Sequence, residues 1–569
     1  MKLHLPKLLC VAVMGAMALP AMGGELTSTT YTGEDGQEHT KWDVGEFDGT
    51  KHPNKQYTTI DTLTLDGYDM LGTYDDNGKL RIIYGTCTGA SNQSQVSPSL
   101  KVTETLTIKD NAQLSLGGLY DGSHDDYIGL NADKLHIEAK DDANIVNFRT
   151  TGAWINDVEI NSGTVLFHAA FDYNGNNGAT EGTNQGNQSW LPGIMKPTES
   201  DDDTKMVVIK KSYTQSGGNV TFGCSAISPH TSGTKIYYAN NLTGNISQTG
   251  GNMNVYGHTY YDGVLISQSG DGEMNFRDRI YLHKTSEVKI QQGGDNTAAS
   301  DKPTMVIGKL FGSNASVILD QTNAGTMTLA YGTNFSGSGT VKVTQSGTGT
   351  VNIGGGHNMK STDLSGFEAV NTSYKFQQTS GTINIANNAT VNLTESSIGG
   401  TLHVGHAATL NVQGALNVAE TATLSFGVNQ ENNTAAMVID GGSSIVALDA
   451  AVSLTLTEAL TTTLDNYFTS EDVEDKTMTF NLISNFDATQ KDNFTELSVF
   501  TTPAAVATLA TDDVAYDVKD WSLSVTDNNV LQATVTWQAV KAEEQVPEPA
   551  TATLSLLALA GLAARRRRR

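Results

Sequence analysis

A short phrase recurs along the middle of this 569-residue chain and restricts the folds that it can adopt. Each copy joins an alternating apolar stub, a glutamine, a Ser or Thr, a Gly and a second stub. Clear copies begin at Tyr213, Ile246 and Ile266, and looser ones begin at Val341 and Tyr374. The glutamines lie 20 to 33 residues apart, and the lower value matches one coil of a β-solenoid. They are Gln215, Gln248, Gln268, Gln292, Gln321, Gln345 and Gln378.

The stubs alternate between apolar and polar residues, which is the period of a β-strand. Val220 and Phe222 then share one face of a strand, as do Met253 and Val255. One short strand cannot bury such a face alone, whereas stacked coils can. Residues 304–502 contain no proline, as expected where both edges of every strand are hydrogen-bonded. Stacked coils would also bring the glutamine amides into a hydrogen-bonded ladder, which we expect in preference to a ligand-facing role.

These patterns predict an all-β fold: a parallel β-helix or solenoid rod with capping β regions at both ends. We assign residues 101–450 to the solenoid repeats, residues 24–100 to an N-terminal cap and residues 451–545 to a C-terminal cap. Caps are expected because the end coils of a solenoid have open strand edges that need cover. Within the second cap, residues 521–525 and 530–537 are predicted to form a hairpin.

Composition agrees with this fold class. Charged residues make up 17% of the chain, and Thr, Ser, Asn and Gly fill the polar positions instead. That mixture favours β-structure and excludes a helical bundle or coiled coil. The formal net charge of -26 is small for a chain of this length, so wholesale disorder is excluded. The same acidic balance argues against nucleic acid as a partner.

The first residues have the pattern of a cleavable export signal, which we place at residues 1–23. Lys2 and Lys7 precede an apolar run over residues 8–19, and small residues follow this run. The run is too short for a membrane-spanning anchor, which is the rival interpretation. We therefore expect the export translocase to be a partner of the new chain.

The last 24 residues combine a proline motif, an apolar run over residues 550–564 and a basic end. The motif is Val546, Pro547, Glu548 and Pro549, and the basic end is Arg565, Arg566, Arg567, Arg568 and Arg569. This order resembles the PEP-CTERM sorting tail of Gram-negative bacteria. The resemblance implies that exosortase, a membrane protease, recognises the Pro-Glu-Pro motif, cuts near it and passes the protein to the outer surface.

The physical properties of the tail suit that role. Its two prolines keep the motif extended, so that a protease can grip it. We expect the apolar run to form a short transmembrane sorting helix and the arginines to stay in the cytoplasm. The protein is then exported, transiently anchored in the membrane, and finally displayed on the outer surface or released. An ordinary tail anchor is the alternative.

Residues 389–426 also resemble the Gly/Thr/Asn-rich passengers of autotransporter adhesins, which implies a β-solenoid. An autotransporter ends in a large membrane barrel, and residues 451–545 are too few for a barrel of that size. Anchoring is therefore expected from the sorting tail.

The motifs of common enzyme chemistries are absent from the sequence. It contains no Gly-rich phosphate loop, no His-Glu-x-x-His and no Gly-x-Ser-x-Gly, and we assign no catalytic residue and no cofactor. The leading hypothesis is a non-enzymatic, adhesin-like protein of the cell surface or extracellular matrix. The alternative is a β-helix polysaccharide lyase or glycoside hydrolase, with Asp and Arg clusters at residues 124–126, 141–142, 201–203 and 277–279. Solvated turns and surface ion pairs explain the same clusters.

No metal site is predicted. Residues 75–78 resemble the start of a calcium loop but lack its later ligands, and His403 and His406 have no carboxylate or thiolate nearby in sequence. Cys87 and Cys224 are too far apart along the array for an expected disulfide.

A cluster of aromatic and basic residues is the best candidate for ligand binding. Tyr260 and Tyr281 follow their glutamines by similar distances, so they are predicted to lie close together on successive coils. With Arg277 and Arg279 they form a candidate site for an extracellular glycan, because flat rings stack on sugars. Packing at a solenoid corner is the alternative role of the tyrosines.

Overall fold

The structure is a computed structural model. It describes residues 26–33, 35–44, 58–72, 100–116, 130–140, 145–150, 153–168, 207–222, 239–242, 244–255, 258–282, 287–294, 302–355, 366–447, 450–468, 474–501 and 514–541. About 65% of these residues are in β-strands and about 5% are helical, which confirms the predicted all-β class. The chain divides into two compact units, the first comprising residues 1–208 and 229–236, and the second comprising residues 209–228 and 237–569.

The first unit contains two ladders of parallel strands. One ladder runs β2, β4, β6, β8, β10, and the other runs β3, β5, β7, β9, while β1 pairs with β2 in the antiparallel sense. The strands are β1 (Thr27–Thr32), β2 (Glu38–Asp43), β3 (Thr58–Leu65), β4 (Met70–Gly72), β5 (Leu100–Ile108), β6 (Gln113–Leu116), β7 (Leu130–Glu138), β8 (Ile145–Thr150), β9 (Ala153–Ser162) and β10 (Thr164–His168).

The second unit contains the remaining strands and one α-helix. The strands of its first part are β11 (Val207–Gln215), β12 (Asn219–Phe222), β13 (Ala239–Leu242), β14 (Asn245–Gln248), β15 (Asn252–Val255), β16 (His258–Tyr261), β17 (Leu265–Gln268), β18 (Glu273–Leu282), β19 (Val288–Gln292), β20 (Thr304–Gly312), β21 (Ser316–Gln321), β22 (Thr326–Leu329), β23 (Gly332–Gln345), β24 (Thr350–Ile353), β25 (Glu368–Gln378) and β26 (Thr382–Ile385).

Its later elements are β27 (Thr390–Leu393), β28 (Ser396–Ile398), β29 (Thr401–Val404), β30 (Thr409–Val412), β31 (Ala415–Val418), β32 (Thr423–Val428), β33 (Met437–Ile439), β34 (Ser444–Ala447), β35 (Ala450–Leu456), α1 (Glu458–Phe468), β36 (Lys476–Ser484), β37 (Phe494–Thr501), β38 (Val514–Val525) and β39 (Leu531–Lys541). A 3₁₀ turn over Ala488–Asn493 precedes β37.

Parallel pairing arranges these strands in three columns, because each strand pairs with a strand one coil further along the chain. The first column is β11, β14, β17, β19, β21, β23, β25, β28, β31, β34. The second is β12, β15, β18, β20, β22, β24, β26, β29, β32, β35, β37. The third is β13, β16, β18, β20, β23, β25, β27, β30, β33, β36.

The inward positions of the second column form a continuous apolar core. Each of these side chains is at most 1% exposed, and full burial of one such side chain stabilises a fold by about 1.5–3 kcal/mol. They are Val220, Met253, Met274, Met305, Met327, Val351, Ile383, Leu402, Leu424 and Val452. The face that the alternating stubs predicted is therefore the buried one.

Tight turns between the first and second columns explain the glycines of the repeated phrase. Gly251 has a φ of +73°, and a Cβ atom there would lie 2.2 Å from the carbonyl oxygen of Gly218 in the preceding coil. Gly381 has a φ of +70°, and its Cβ would lie 2.5 Å from the carbonyl oxygen of Gly347. The stacked backbones leave no room for a side chain at these corners.

Antiparallel strands follow the parallel columns near the C-terminus. β38 pairs with β39, and β39 pairs with β36, all antiparallel. Trp521 is the partner of Val535 and Val525 is the partner of Leu531, which confirms the predicted hairpin. Parallel pairing itself extends beyond residues 101–450, because β2 pairs with β4 and β35 pairs with β37. The division into array and caps stays a prediction.

Several predicted features lie outside the described residues. They are the signal at residues 1–23, the sorting tail at residues 546–569, the clusters at residues 75–78, 124–126, 141–142 and 201–203, and Cys87 and Cys224. Within the described ranges, no helix is both long and apolar enough to cross a membrane.

Candidate functional site

The repeat glutamines form a buried ladder at one corner of the second unit. Each is the last residue of its first-column strand, and consecutive glutamines from Gln215 to Gln378 are register partners. All seven side chains are at most 3% exposed. The prediction that the amides stack inside the fold is confirmed.

Gln292 shows how one amide joins three coils. Its Nε2 donates to Gln268 Oε1 in the preceding coil (3.0 Å), to the carbonyl oxygen of Pro303 in its own turn (3.1 Å) and to that of Thr326 in the next coil (3.2 Å). Gln268 Nε2 likewise donates to Gln248 Oε1 at 3.2 Å. The turn carbonyl groups thereby gain a side-chain donor beside their backbone donor, as the carbonyl oxygen of Pro303 also accepts the N–H of Thr326 at 2.9 Å.

On the outer face of the third column, three aromatic rings stack on successive coils. We call Tyr260, Tyr281 and Phe311 the aromatic ladder. The rings of Tyr260 and Tyr281 are 5.0 Å apart between centroids and 16° apart in plane, and those of Tyr281 and Phe311 are 5.1 Å and 32° apart. The structure therefore brings the two predicted tyrosines together, as their spacing after the glutamines indicated.

Two cations lie beside Phe311, the last ring of the aromatic ladder in chain order. Arg279 Cζ is 5.4 Å from the ring centroid of Phe311, and Lys309 Nζ is 5.5 Å from it. Arg279 and Lys309 are register partners, and Lys309 Nζ also contacts a carboxylate oxygen of Glu368. Cations placed over aromatic rings in this way stabilise the stack by about 0.5–1 kcal/mol at exposed sites.

Sequence reasoning missed Phe311 and Lys309 for a simple reason. The chain between Gln292 and Phe311 is longer than the chain between Gln268 and Tyr281, so the spacing rule that paired the tyrosines fails at the next coil. Aligning Met274 with Met305 as core positions would have placed Gly312 opposite Tyr281, because the register shift between Phe276 and Arg279 makes Phe311 the true partner.

The geometry of the aromatic ladder limits what it can bind. The rings cover one another's faces, and Tyr260 is only 5% exposed. A sugar stacks on an open ring face, so a ligand would meet mainly Phe311 and the edge of Tyr281, both of which are partly exposed.

The cluster at residues 277–279 is split between the two faces of β18. Arg277 is on the outer side, where its Nε and Nη2 donate to Asn254 Oδ1 at 3.1 and 2.8 Å. Asp278 is 3% exposed, on the opposite side, and accepts the backbone N–H of Arg279 at 2.8 Å. Burial raises the pKa of Asp278 to about 6, although the charge of Arg279 acts in the other direction. The expectation of an ordinary surface ion pair is therefore wrong for Asp278, which the alternation of the strand turns inward.

The two histidines that spacing placed near each other have separate roles. His403 lies on the second column, with its Nδ1 2.9 Å from Ser425 Oγ, and burial lowers its pKa. His406 lies in the following turn, where its backbone N–H donates to Asn387 Oδ1 at 3.1 Å. In the part of the chain that the structure describes, no group of three or more His, Cys, Asp or Glu side chains is arranged to hold a metal ion.

Comparison with known families identifies the tail. Residues 545–569 match the model of the PEP-CTERM protein-sorting motif. This match indicates an exported surface protein that exosortase processes at the membrane. No curated protein and no solved structure matches the chain.

Proposed function

We propose that the protein is a non-enzymatic, adhesin-like component of the cell surface or extracellular matrix, built as a parallel β-helix rod and sorted through its C-terminal tail. The amide ladder carries this proposal. The most regular polar residue of the repeat points into the core and bonds neighbouring coils, so the repeat builds a scaffold. The sorting motif supports delivery of that scaffold to the outer surface.

Processing is tested by the intact mass of the protein recovered from the cell surface or medium of an exporting host. We expect both the signal at residues 1–23 and the arginines at residues 565–569 to be missing. Mature surface protein that retains the five arginines would contradict exosortase processing.

The rod is tested separately by small-angle scattering of the same processed protein. Stacked coils predict an elongated particle, because every coil adds about 4.8 Å along one axis. A compact particle would contradict the rod even if circular dichroism showed mainly β-structure.

A glycan-cleaving enzyme remains the competing function. Of its candidate clusters, residues 277–279 lie in the described part of the chain, and Asp278 has the raised pKa of a general acid. Its burial on the inner side of β18 separates it from any ligand on the outer face, which supports the non-enzymatic proposal. Polysaccharide panels assayed for new reducing ends or unsaturated products decide between the two. Turnover that disappears in Asp278→Ala would overturn our proposal.

The glycan contact predicted at Tyr260, Tyr281, Arg277 and Arg279 is also part of the proposed function, with Tyr281 and Phe311 as the rings that a sugar would meet and Tyr260 stacked behind them. Its test is the double change Tyr260→Ala and Tyr281→Ala. Loss of retention on immobilised glycan with an unchanged thermal midpoint would support binding. A lower midpoint with unchanged retention would assign both tyrosines to packing.

A further inference from the structure

Six threonines form a straight row on the outer face of the second column. Each begins one strand of six successive coils and is partly exposed. They are Thr304, Thr326, Thr350, Thr382, Thr401 and Thr423, each the register partner of the next. We call this set the threonine row. At about 4.8 Å per coil it is about 24 Å long.

The hydroxyl groups of the threonine row are not used inside the protein. In the described ranges, none of the six makes a side-chain hydrogen bond to another protein group. Threonines of the turns behave differently: the hydroxyls of Thr249, Thr322 and Thr379 donate to carbonyl oxygens of the preceding coil at 3.4 to 3.5 Å. The row therefore presents a regular series of groups that can both donate and accept.

The neighbouring outward positions are satisfied among themselves. Asn384 Nδ2 donates to Asn352 Oδ1 at 3.1 Å, and Asn352 Nδ2 donates to Thr328 Oγ1 at 3.1 Å. On the next rung, His403 is bonded to Ser425. These contacts hold the second line of polar groups in place beside the threonine row.

Within the six strand segments that form the threonine row, the outward side chains carry no formal charge, and the charged residues Glu273, the register partner of Thr304, and Lys302 flank its first rung. Outward positions of these strands are Thr, Asn, Ser, Val306 and His403, and burial lowers the pKa of His403, which favours its neutral form. The first column differs, because Lys289, Lys342 and Lys375 lie on its outer face. In a chain of net charge -26, an uncharged strip suits a neutral ligand better than an acidic or basic polymer.

The dimensions of the strip indicate a single polymer chain. Four-residue strands are about 13 Å wide, so the strip covers about 300 Å². A stable protein partner needs about 800 Å² on each side, which argues against a second copy of this chain. A strip of this length and width can hold one extended chain of about six sugars, if the sugar repeat is close to the coil spacing of about 4.8 Å.

We propose that the threonine row binds a neutral, extended β-1,4-linked glycan that lies along the row with about one sugar residue per coil. The hydroxyls bond successive sugar hydroxyls, and the threonine methyl groups contact the apolar faces of the rings. This site is distinct from the aromatic ladder, and it deepens the proposed function as a surface protein that contacts glycan. The proposed glycan site depends on the register between coils and does not depend on how the C-terminal tail is sorted.

The test is calorimetric titration of the processed protein, as recovered from the exporting host, with cello-oligosaccharides of increasing length. Affinity should rise with each added sugar and level off at about six, because the row has six rungs. Maltohexaose contains the same sugar in a coiled α-linked chain and should bind at least tenfold more weakly. Equal binding of the two hexasaccharides would overturn the proposal, as would no binding of either.

Two variant pairs locate the site. Thr350→Val with Thr382→Val removes two central hydroxyls while keeping the side-chain shape, and should weaken cellohexaose binding by about tenfold or more. Thr390→Val with Thr409→Val is the control, because these residues are register partners on the third column. Equal losses in both pairs, or no loss in the first pair at an unchanged thermal midpoint, would contradict the site.

The result also separates this inference from the proposed function. Surface protein with a correctly processed tail that binds no cello-oligosaccharide overturns the glycan site alone. If protein recovered from the cell surface binds cello-oligosaccharides but still contains the arginines at residues 565–569, only the proposed sorting is overturned. Concentration-dependent self-association without glycan binding would assign the row to contacts between copies.

Discussion

The last residue of each first-column strand points inward, and two kinds of side chain fill this corner position in the second unit. Seven coils place an amide there, up to Gln378, whereas the rungs that continue the column carry Ile398, Val418 and Ala447, at most 2% exposed. The amides bond turn carbonyls, as in Gln248 to Gly251 at 2.8 Å. The turn after Val418 instead closes on itself, because the N–H of Ala422 donates to the carbonyl oxygen of Ala419 at 2.9 Å. A buried amide therefore accompanies the turns whose carbonyl groups face inward, and it adds a second donor to them.

The largest expected effect comes from removing an amide at the centre of the ladder. Gln292→Ala leaves Gln268 Oε1 and two backbone carbonyl oxygens without this donor, so we expect a loss of about 3–5 kcal/mol in the free energy of unfolding. Gln291→Ala, one residue earlier on the outer face, should cost less than about 0.5 kcal/mol. Denaturant unfolding of both variants measures the difference. Equal losses would contradict the structural role of the ladder.

The second prediction concerns the buried carboxyl group of Asp278 in the same unit and its effect on the free energy of unfolding. Burial raises its pKa to about 6 from the ordinary value of 3.8, so its contribution to stability is fully present below about pH 3.8 and is lost as the pH rises through about 6. The full change corresponds to about 3 kcal/mol. Asp278→Asn should remove this component and be the more stable protein at pH 7. Unfolding curves of both proteins from pH 3.5 to about pH 8 measure it, and parallel pH profiles would refute the buried acid.

The opposite exchange places an amide in the apolar part of the corner. Val418→Gln introduces a polar group beside a turn whose own N–H already satisfies the Ala419 carbonyl, so we expect a loss of about 2 kcal/mol. Val418→Leu is the control for size. If the glutamine variant were as stable as the leucine variant, the turn geometry would not decide where amides are needed.

The smallest effect is expected at an amide with few bonds. Gln345 Nε2 donates to Gly349 O at 2.7 Å, and its Oε1 accepts a long bond of 3.4 Å from Gln378. Gln345→Leu should therefore cost about 1 kcal/mol, clearly less than Gln292→Leu, because added apolar contact offsets the lost bond. Thermal unfolding of the two leucine variants ranks them. The reverse ranking would show that bond number does not govern the ladder.

The sequence was sufficient for the features that repeat locally. The period of two identified the buried faces of Val220 and Met253, and the recurring glutamine predicted the amide ladder. The similar distances of Tyr260 and Tyr281 from their glutamines predicted their proximity. Phe311 was missed because a longer connection before β20 changes its distance from Gln292, and a register shift between Phe276 and Arg279 changes the alignment of β18 with β20.

Features that depend on the third dimension were harder to predict. Asp278 was expected at the surface because its neighbours are charged, although the alternation of β18 places it on the same buried face as Phe276 and Ile280. The threonine row was invisible for a related reason. Its members are 19 to 32 residues apart, and their alignment appears only when the coils are stacked.

The coil register is the central claim, since both the buried amide ladder and the exposed threonine row depend on it. Disulfide trapping tests it directly in protein with Cys87 and Cys224 changed to Ser. Thr350→Cys with Thr382→Cys places two thiols on register partners about 4.8 Å apart, within disulfide range, so rapid cross-linking is expected. Thr350→Cys with Asn384→Cys places the backbones about 8 Å apart and should stay reduced. Preferential cross-linking of the second pair would contradict the stacking on which the account rests.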